Sequence, residues 1–397
     1  MLNAQQLLQQ AQALFPYMQS VRREIHQHPE LGGAETQTQA LILRELAAMG
    51  IEARKCADTG VVGIIRGSRP GKTIGLRADI DALPLQEETG LPFASQNPGV
   101  MHACGHDTHA ASLLGAARLL QNNRDSIRGN VKLFFQPDEE HRGGAQRMVN
   151  EGCLQDPPVS AVFCGHSATD CDAGEYALKY DRCYAASNPF KVTVYGKGCH
   201  GAFPGDGIDA VLIGSEVVCA LQTLVSRRIF ATDSAVVTVG SFHSGTKGNI
   251  IAETAVLEGI IRTLGPEMRK KMCTLFRETV EGIASALGGR AEVEIEDGYP
   301  GVINTDSMTA LVQRSMTALV GEEHIHLHTI PEMGSEDFGA FMDGIPGCYG
   351  FFGFGDGRQK CVHAAHSSRF MLNEDGLVYA AALHTRVALD YLNQDEF

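Results

Sequence analysis

The sequence predicts an α/β protein: a catalytic domain with a mostly parallel sheet covered by helices, and a smaller ferredoxin-like βαββαβ lid domain inserted into it. Three observations predict this. Short β-rich runs alternate with helical patterns in the first part of the chain, as expected for parallel strands joined by crossover helices. The middle reads β-α-β-β-α-β, the order of a ferredoxin-like split unit. The tail returns to helical and loop patterns, so the outer domain is assembled from both ends of the chain.

In order, MLNAQQLLQQAQALF opens as an amphipathic helix and lacks the basic stretch of a signal peptide. Residues 36–49 put Leu41, Leu43, Leu46 and Ala47 on one side of a helix. Residues 61–66 and 73–77 read as strands, 108–122 as a helix of Ala and Leu, and 131–135 and 161–164 as short apolar strands. In the middle, 190–195, 235–242, 254–263 and 290–295 read as strands, and 209–227 and 267–287 as long helices. GFFGFGDG (350–357) reads as turn structure, and 376–392 as a final helix. Boundaries near Ala186 and Gly301 give a catalytic domain of 1–186 plus 301–397 and a lid of 187–300.

Composition narrows the function classes. Of 397 residues, 44% are hydrophobic and 20% charged, which is globular composition. The net charge of −14, from 33 basic and 47 acidic residues, repels phosphate backbones and argues against nucleic acid. No apolar run approaches the roughly 20 residues that cross a bilayer, so no membrane partner is expected. The 11 cysteines are scattered and form no CxxC pair, which points to reduced thiols and a cytoplasmic location.

The chemistry gathers at strand ends. TIGLRA runs into Asp79 and Asp81, VKLFFQP into Asp138, Glu139 and Glu140, and AVFCG into His166. In open parallel sheets, ligands bind beyond the carboxyl ends of the strands. Between these strands, MHACGHDTHAASLLGAA (101–117) packs His102, Cys104, His106, Asp107 and His109 into eight positions. Thiolate, imidazole and carboxylate are ligands for zinc and its borderline-soft neighbours. A buried Glu139–Glu140 pair costs several kcal/mol unless a cation lies between the two. Any one of these residues can serve as a cap or salt-bridge partner, as Asp107 can for the helix that follows. The joint pattern is what implies a dinuclear site. No Ser sits in a nucleophile elbow, and GKGCHGAFPGDG lacks the Lys-Ser/Thr of a phosphate loop.

On these residues the chain resembles the amidohydrolase branch of the co-catalytic zinc peptidases, which includes aminoacylases, hippurate hydrolases, auxin-conjugate hydrolases and N-acetyl-diaminopimelate deacetylases. The segments that carry the resemblance run in family order: REIHQHPELGGAE (23–35), RADIDALP (77–84), MHACGHDTHAASLLGAA (101–117), FFQPDEEHRGGAQRMVNEG (134–152), GKGCHGAFPGDGIDA (196–210), NIIAE (249–253), MGSEDF (333–338) and HSSRF (366–370). The resemblance implies two divalent metal ions, with zinc, manganese, cobalt and nickel all open. It implies Cys104, His106, Glu140, His166 and His366 as ligands, with Cys104 bridging. Glu139 falls on the general base and acid, and Asp81 on a carboxylate that orients a ligand. His200 and Asn249 fall on lid positions that contact substrate, and Arg262 on a contact to the substrate carboxylate.

The chain departs from the family in places. Asp138 stands where Ala is usual, CHGAFPGDG replaces GHAAxPHxG, NIIAE replaces NVIP, and Ser-Ser follows His366 where Ser-Pro is common. The ligand set survives these changes, and the substrate pocket is what they touch.

The expected reaction is hydrolysis of the amide bond of a small N-acyl amino acid or conjugate by a metal-activated water. Glu139 moves the proton, and His200 helps a metal ion stabilise the oxyanion. His102, His109 and His363 lie close enough in sequence to serve as hydrogen-bond partners of ligands. The lid's open strand edge and long helices point to a homodimer through that domain. Three rival readings are a metallo-carboxypeptidase or dipeptidase on the same scaffold, a two-metal phosphoesterase, and a non-catalytic metal- or ligand-binding protein. The Cys ligand and the acidic charge weigh against the phosphoesterase, and an intact Glu139 weighs against the binding protein.

Overall fold

A computed structural model describes residues 3–357 and 359–394. Two helices open the chain, α1 (Ala4–Ala13) and α2 (Phe15–Gln27), followed by α3 (Thr36–Ala48). Asn3 and Gln6 cap α1 reciprocally. Strands β1 (Glu52–Cys56), β2 (Gly60–Arg66) and β3 (Arg69–Asp79) precede α4 (His106–Asn122). Then come β4 (Arg128–Gln136), α5 (Ala145–Asn150), β5 (Ala161–Asp172), β6 (Tyr176–Leu178), β7 (Asp181–Tyr184) and β8 (Ala186–Tyr195). The middle of the chain holds β9 (Cys199–His200), α6 (Ala210–Arg227), β10 (Ala235–Ser244), β11 (Ile250–Ile251), β12 (Thr254–Thr263), α7 (Pro266–Ala286) and β13 (Arg290–Ile295). The tail adds β14 (Val302–Asn304), α8 (Asp306–Val320), β15 (Ile325–Leu327), β16 (Gly347–Gly355) and α9 (Gly376–Leu392).

The chain divides into two units. The first comprises residues 1–183, 303–330 and 337–397; the second comprises 184–302 and 331–336. Residues 331–336, assigned above to the catalytic domain, group with the second unit, because Ala185 donates its backbone N–H to the carbonyls of Glu332 and Gly334.

The first unit is built on an eight-stranded sheet of order β1-β2-β4-β3-β5-β16-β6-β15. Its centre is parallel: β3 pairs with β4 and β5, and β5 pairs with β16. The strands are apolar almost end to end, as strands covered on both faces must be. On α4, 14 of the 17 residues are buried, and Ala-rich turns let it lie close against its neighbours.

The second unit is a four-stranded antiparallel sheet of order β10-β12-β8-β13, with α6 and α7 packed on it. Chain order and sheet order together are those of the ferredoxin-like unit. Its separate core centres on Val192, Leu257, Ile261, Leu221 and Phe276.

Two expectations need correction. The segment 350–357 is not a turn: most of it lies in β16, parallel to β5 in the middle of the main sheet. Its glycines lower strand propensity, but they sit where neighbours crowd in; a Cβ on Gly353 would strike the Asp172 carbonyl. The apolar-run argument was also too simple, because α6 spans 18 residues with mean hydropathy 1.4 and is long and apolar enough to cross a bilayer. Here it lays Ile213, Gly214, Val217, Leu221 and Leu224 into the core of the second unit.

Candidate metal centre

The parallel strands deliver the polar groups to one edge. β3 ends at Asp79, with Asp81 two residues on; β4 ends at Gln136, just before Asp138, Glu139 and Glu140. β5 pairs with β3 only as far as Cys164, so His166 is free of β3 on that side while Phe351 of β16 pairs it on the other. Between them, Gly105 opens α4 with φ of +87°, a conformation that favours glycine, and a Cβ there would strike Ser167 Oγ. The helix starts at His106, two residues earlier than the sequence suggested, so His106 lies in its first turn.

The five expected ligands come together in the first unit. Cys104 Sγ lies 3.4 Å from His166 Nε2. His366 Nε2 lies 3.1 Å from Glu140 Oε1. One ligand atom each from Cys104, His106 and Glu140 falls within 4.8 Å of the others. His366 takes a positive φ of 66° and donates its backbone N–H to the carbonyl of Ala103, which ties it to the cysteine loop. A left-handed non-glycine residue is strained backbone of the kind that collects at functional sites.

Hydrogen bonds fix which ring nitrogens point inward. His106 Nδ1 donates to the Asp81 carbonyl at 3.0 Å, leaving the lone pair on the buried Nε2. His166 Nδ1 donates to the Ser167 carbonyl at 2.8 Å, leaving the lone pair on Nε2, toward Cys104. Asp81 also accepts the backbone N–H of Glu140 through Oδ2 at 3.0 Å, so one carboxylate steadies two ligands.

The electrostatics favour a cation. Burial pushes the Cys104 thiol up to about 12, so a thiolate there needs positive charge beside it. Burial, with His109 nearby, pushes His166 down to about 3, so it is a neutral donor. Burial disfavours charge on His106, yet the Asp79 carboxylate overcomes it and raises this imidazole well above its usual value. Its Nε2 is buried, finds no hydrogen-bond acceptor and lies 3.5 Å from Asp79 Oδ2, so a proton or a metal must sit on that lone pair. Glu140 Oε1 is also buried, and His366 Nε2 lies 3.1 Å from it. Burial raises Glu140, but the His366 contact outweighs it and holds the carboxyl below its ordinary range. The unbonded His106 Nε2 and a thiol–imidazole–carboxylate set fit divalent metal ions.

Glu139 is buried beside this cluster, with a carboxylate oxygen within 4.8 Å of one from Asp337. Its loop is held by Asp138, which takes φ of +56°, pairs with Arg147 Nη2 at 2.8 Å and donates its backbone N–H to Glu35 Oε1.

The remaining expected residues separate. In the second unit, His200 pairs with Ile250 in a two-stranded ribbon, and Gly201 N–H donates to the Asn249 carbonyl, so His200 and Asn249 are neighbours and both are exposed. Arg262 lies at the other end of β12, opposite Ser187, with Nη1 buried and lacking a hydrogen bond. His363 is half-buried in the loop before His366. His102 is fully buried beside His26, and neither ring nitrogen finds a hydrogen bond. Asp107 does not cap α4; its carboxylate accepts from Arg22 Nε at 2.7 Å and His26 Nδ1 at 2.8 Å.

The sequence reading missed Ser167, Arg77 and Asp337. Arg77 Nη1 reaches Asp79 at 2.8 Å and Nη2 reaches Asp337 at 3.2 Å. The only sequence signals were an arginine inside an apolar strand and the MGSEDF segment.

Comparison with known proteins adds a lineage. Residues 75–390 match the family described as peptidase family M20/M25/M40. The chain is 38% identical over 379 residues to thermostable carboxypeptidase 1 of Saccharolobus solfataricus, covering 94% of this chain and 95% of that protein. It is 39% identical over 377 residues to N-acetyl-L-cysteine deacetylase of Bacillus subtilis, covering 95% and 88%. Among solved structures, the Bacillus subtilis YXEP protein, a dinuclear metal binding peptidase, superposes with a TM-score of 0.84 at 32% identity, covering 96% of this chain and 99% of that one.

Proposed function

The chain belongs to peptidase family M20/M25/M40 and is a metal-dependent amidohydrolase or peptidase, and from that premise we propose that it hydrolyses the amide bond of small N-acyl amino acids. The observation that carries this reading is the convergence of Cys104, His106, Glu140, His166 and His366, with His106 Nε2 lacking a hydrogen bond and the buried Glu139 next in the chain to Glu140. These five residues would hold two divalent cations, which would supply Lewis acidity and a water acidified toward neutral pH.

The chain's own residues do the rest. Glu139 takes the proton of the attacking water and delivers it to the leaving nitrogen. Asp81 holds His106 and Glu140 in place. His200 offers an N–H to the developing oxyanion, and Asn249 and Arg262 hold the amino-acid portion. The deacetylase among the relatives supports the N-acyl substrate. The carboxypeptidase favours a second reading, cleavage of a C-terminal peptide bond by the same chemistry.

The lid supports a dimer. Eight residues of β12 separate Thr254, next to the His200 ribbon, from Arg262, about 26 Å at strand rise. A small substrate cannot span that, so His200 and Arg262 of one copy cannot meet the same substrate, and a second copy completes the set. Val211 and Leu212, exposed on α6, suit a face that a second copy covers. The scattered cysteines, with no CxxC pair, support a cytoplasmic setting.

The test is hydrolysis of N-acetyl and N-benzoyl amino acids against dipeptides, after chelation and after return of zinc, manganese, cobalt or nickel. Turnover of the N-acyl substrates that chelator abolishes and metal restores is expected. Dipeptide cleavage alone favours the carboxypeptidase reading, and chelator-insensitive turnover overturns both. Mixing Glu139→Gln chains with His200→Ala chains should restore about a quarter to a half of activity through hybrid dimers, on the order expected when one intact site forms per hybrid.

A further inference from the structure

Ser167 touches two of the candidate ligands at once. Its carbonyl accepts from His166 Nδ1 at 2.8 Å, and its hydroxyl has two acceptors for its one proton, the Cys104 carbonyl at 3.3 Å and His109 Nε2 at 3.1 Å. Its backbone N–H donates to His109 Nε2 at 2.8 Å. That last bond settles the state of His109: Nε2 is an acceptor, so the ring proton sits on Nδ1, where it meets Asp79 Oδ1. Asp79 is in turn held by Arg77. All four of these side chains are buried: Arg77 is 1% exposed, Asp79 0%, His109 2% and Ser167 7%. The His109 ring packs against His166 with centroids 4.6 Å apart at 69°, so it also walls the face of that ligand.

We propose that Asp79, His109 and Ser167 form a positioning relay that sets the orientation and tautomer of His166, and the path of the Cys104 backbone, before any metal arrives. Asp79 fixes the His109 tautomer. His109 then fixes the Ser167 peptide by accepting its N–H. The Ser167 peptide presents its carbonyl to His166 Nδ1, which leaves Nε2 bare for a cation. The Ser167 hydroxyl holds the Cys104 carbonyl, and the neighbouring glycine, Gly105, leaves room for that hydroxyl. The logic is that of an outer partner that orients a ligand and fixes which nitrogen binds, extended here over three links. It rests on Cys104 and His166 being ligands, as assigned under the proposed function.

Two substitutions at His109 separate positioning from mere filling of space. His109→Gln places an amide oxygen near the former Nε2 and can still accept from Ser167. His109→Leu fills a comparable volume and cannot accept. Metal affinity is read by competition with a calibrated chelator, using zinc alone as the probe. The tautomer of His166 is read by nitrogen NMR on the metal-free full-length chain.

The relay predicts that His109→Leu weakens one of the two zinc affinities by about 10- to 100-fold and mixes the His166 tautomers. His109→Gln stays within about threefold of the parent, on the scale of the same effects. Ser167→Ala, which keeps the backbone N–H, keeps the His166 tautomer but weakens zinc by an intermediate factor, and serves if the leucine variant does not fold. Equal zinc affinities in the leucine, alanine and parent proteins overturn the relay, and so does a mixed His166 tautomer in the metal-free parent. His166→Ala is the control: if it retains both zinc ions, the ligand assignment itself falls and takes the relay with it. Loss of one zinc from His166→Ala, with no change in the relay variants, overturns the relay alone.

Discussion

Asp79, Asp81, His106 and His109 in the first unit are each at most 2% exposed, and each is tied by hydrogen bonds or ion pairs from different strands and helices. His200 and Asn249 in the second unit stand exposed on a ribbon of two short strands, held mainly by backbone pairing. The difference follows from what each unit must do. A metal ligand must be in place before the cation arrives, so its orientation is fixed by buried partners. A group that meets the substrate must let it in and out, so it sits at a surface. Changes in the first unit should therefore alter metal affinity or the chemical step, whereas changes in the second should alter turnover with the metals untouched.

The most severe test is Glu139→Gln. It should keep both metals and lower kcat by about 10³-fold or more, since a general base contributes about 10²–10⁴. Metal analysis beside steady-state kinetics checks it, and normal turnover removes Glu139 from its role.

Next is Arg22→Ala, which strips a buried partner from Asp107 (2% and 0% exposed). Breaking a buried pair costs about 3–5 kcal/mol, so urea unfolding of the metal-free chain should show a loss near the lower figure, His26 remaining as a second partner. A loss under about 0.5 kcal/mol, ordinary for surface positions, would mean that the buried network is no firmer than the lid's surface groups.

His200→Ala should then lower kcat by about 10²-fold, the scale of one lost oxyanion donor, with zinc affinity unchanged. A parallel fall in metal binding would erase the contrast between the units.

The smallest effect is a pH dependence in the metal-free chain. Burial lowers His26, but the Asp107 carboxylate outweighs it and holds the imidazole above its ordinary range. The stabilisation is therefore complete below the unfolded value and is lost as pH rises through the higher folded value. Urea midpoints should fall as pH rises above the ordinary histidine range of about 6.5, and His26→Gln should flatten that fall. A parent midpoint that rises there contradicts the pairing.

Much of this was legible in the residues, for physical reasons. The β-α-β-β-α-β order could be read because β12 and β13 alternate in period two, while α6 and α7 carry apolar residues at helical spacing. A metal site could be read because thiol, imidazole and carboxylate together at strand ends have few other uses, and the family resemblance then marked Cys104, His106, Glu140, His166 and His366 as its ligands. What stayed hidden depends on neighbours distant in sequence. β16 looked like a turn because its glycines make room for Asp172 and Glu175, which no local rule can see. Ser167 carried no signal, because a serine after a histidine is commonplace until His109, 58 residues away, accepts its backbone N–H. Asp107 looked like a helix cap until Arg22 and His26 arrived from α2.

The central claim is that a thiolate, three imidazoles and a carboxylate enclose two cations with Glu139 alongside. Anomalous diffraction from crystals of Glu139→Gln grown with zinc tests it most directly. The account predicts two peaks, with Cys104 Sγ about 2.3 Å and the His106, His166, His366 and Glu140 donor atoms about 2.0–2.2 Å from one or the other. A single peak, or peaks held by Asp79 and His109 with Cys104 and His366 uninvolved, would contradict it.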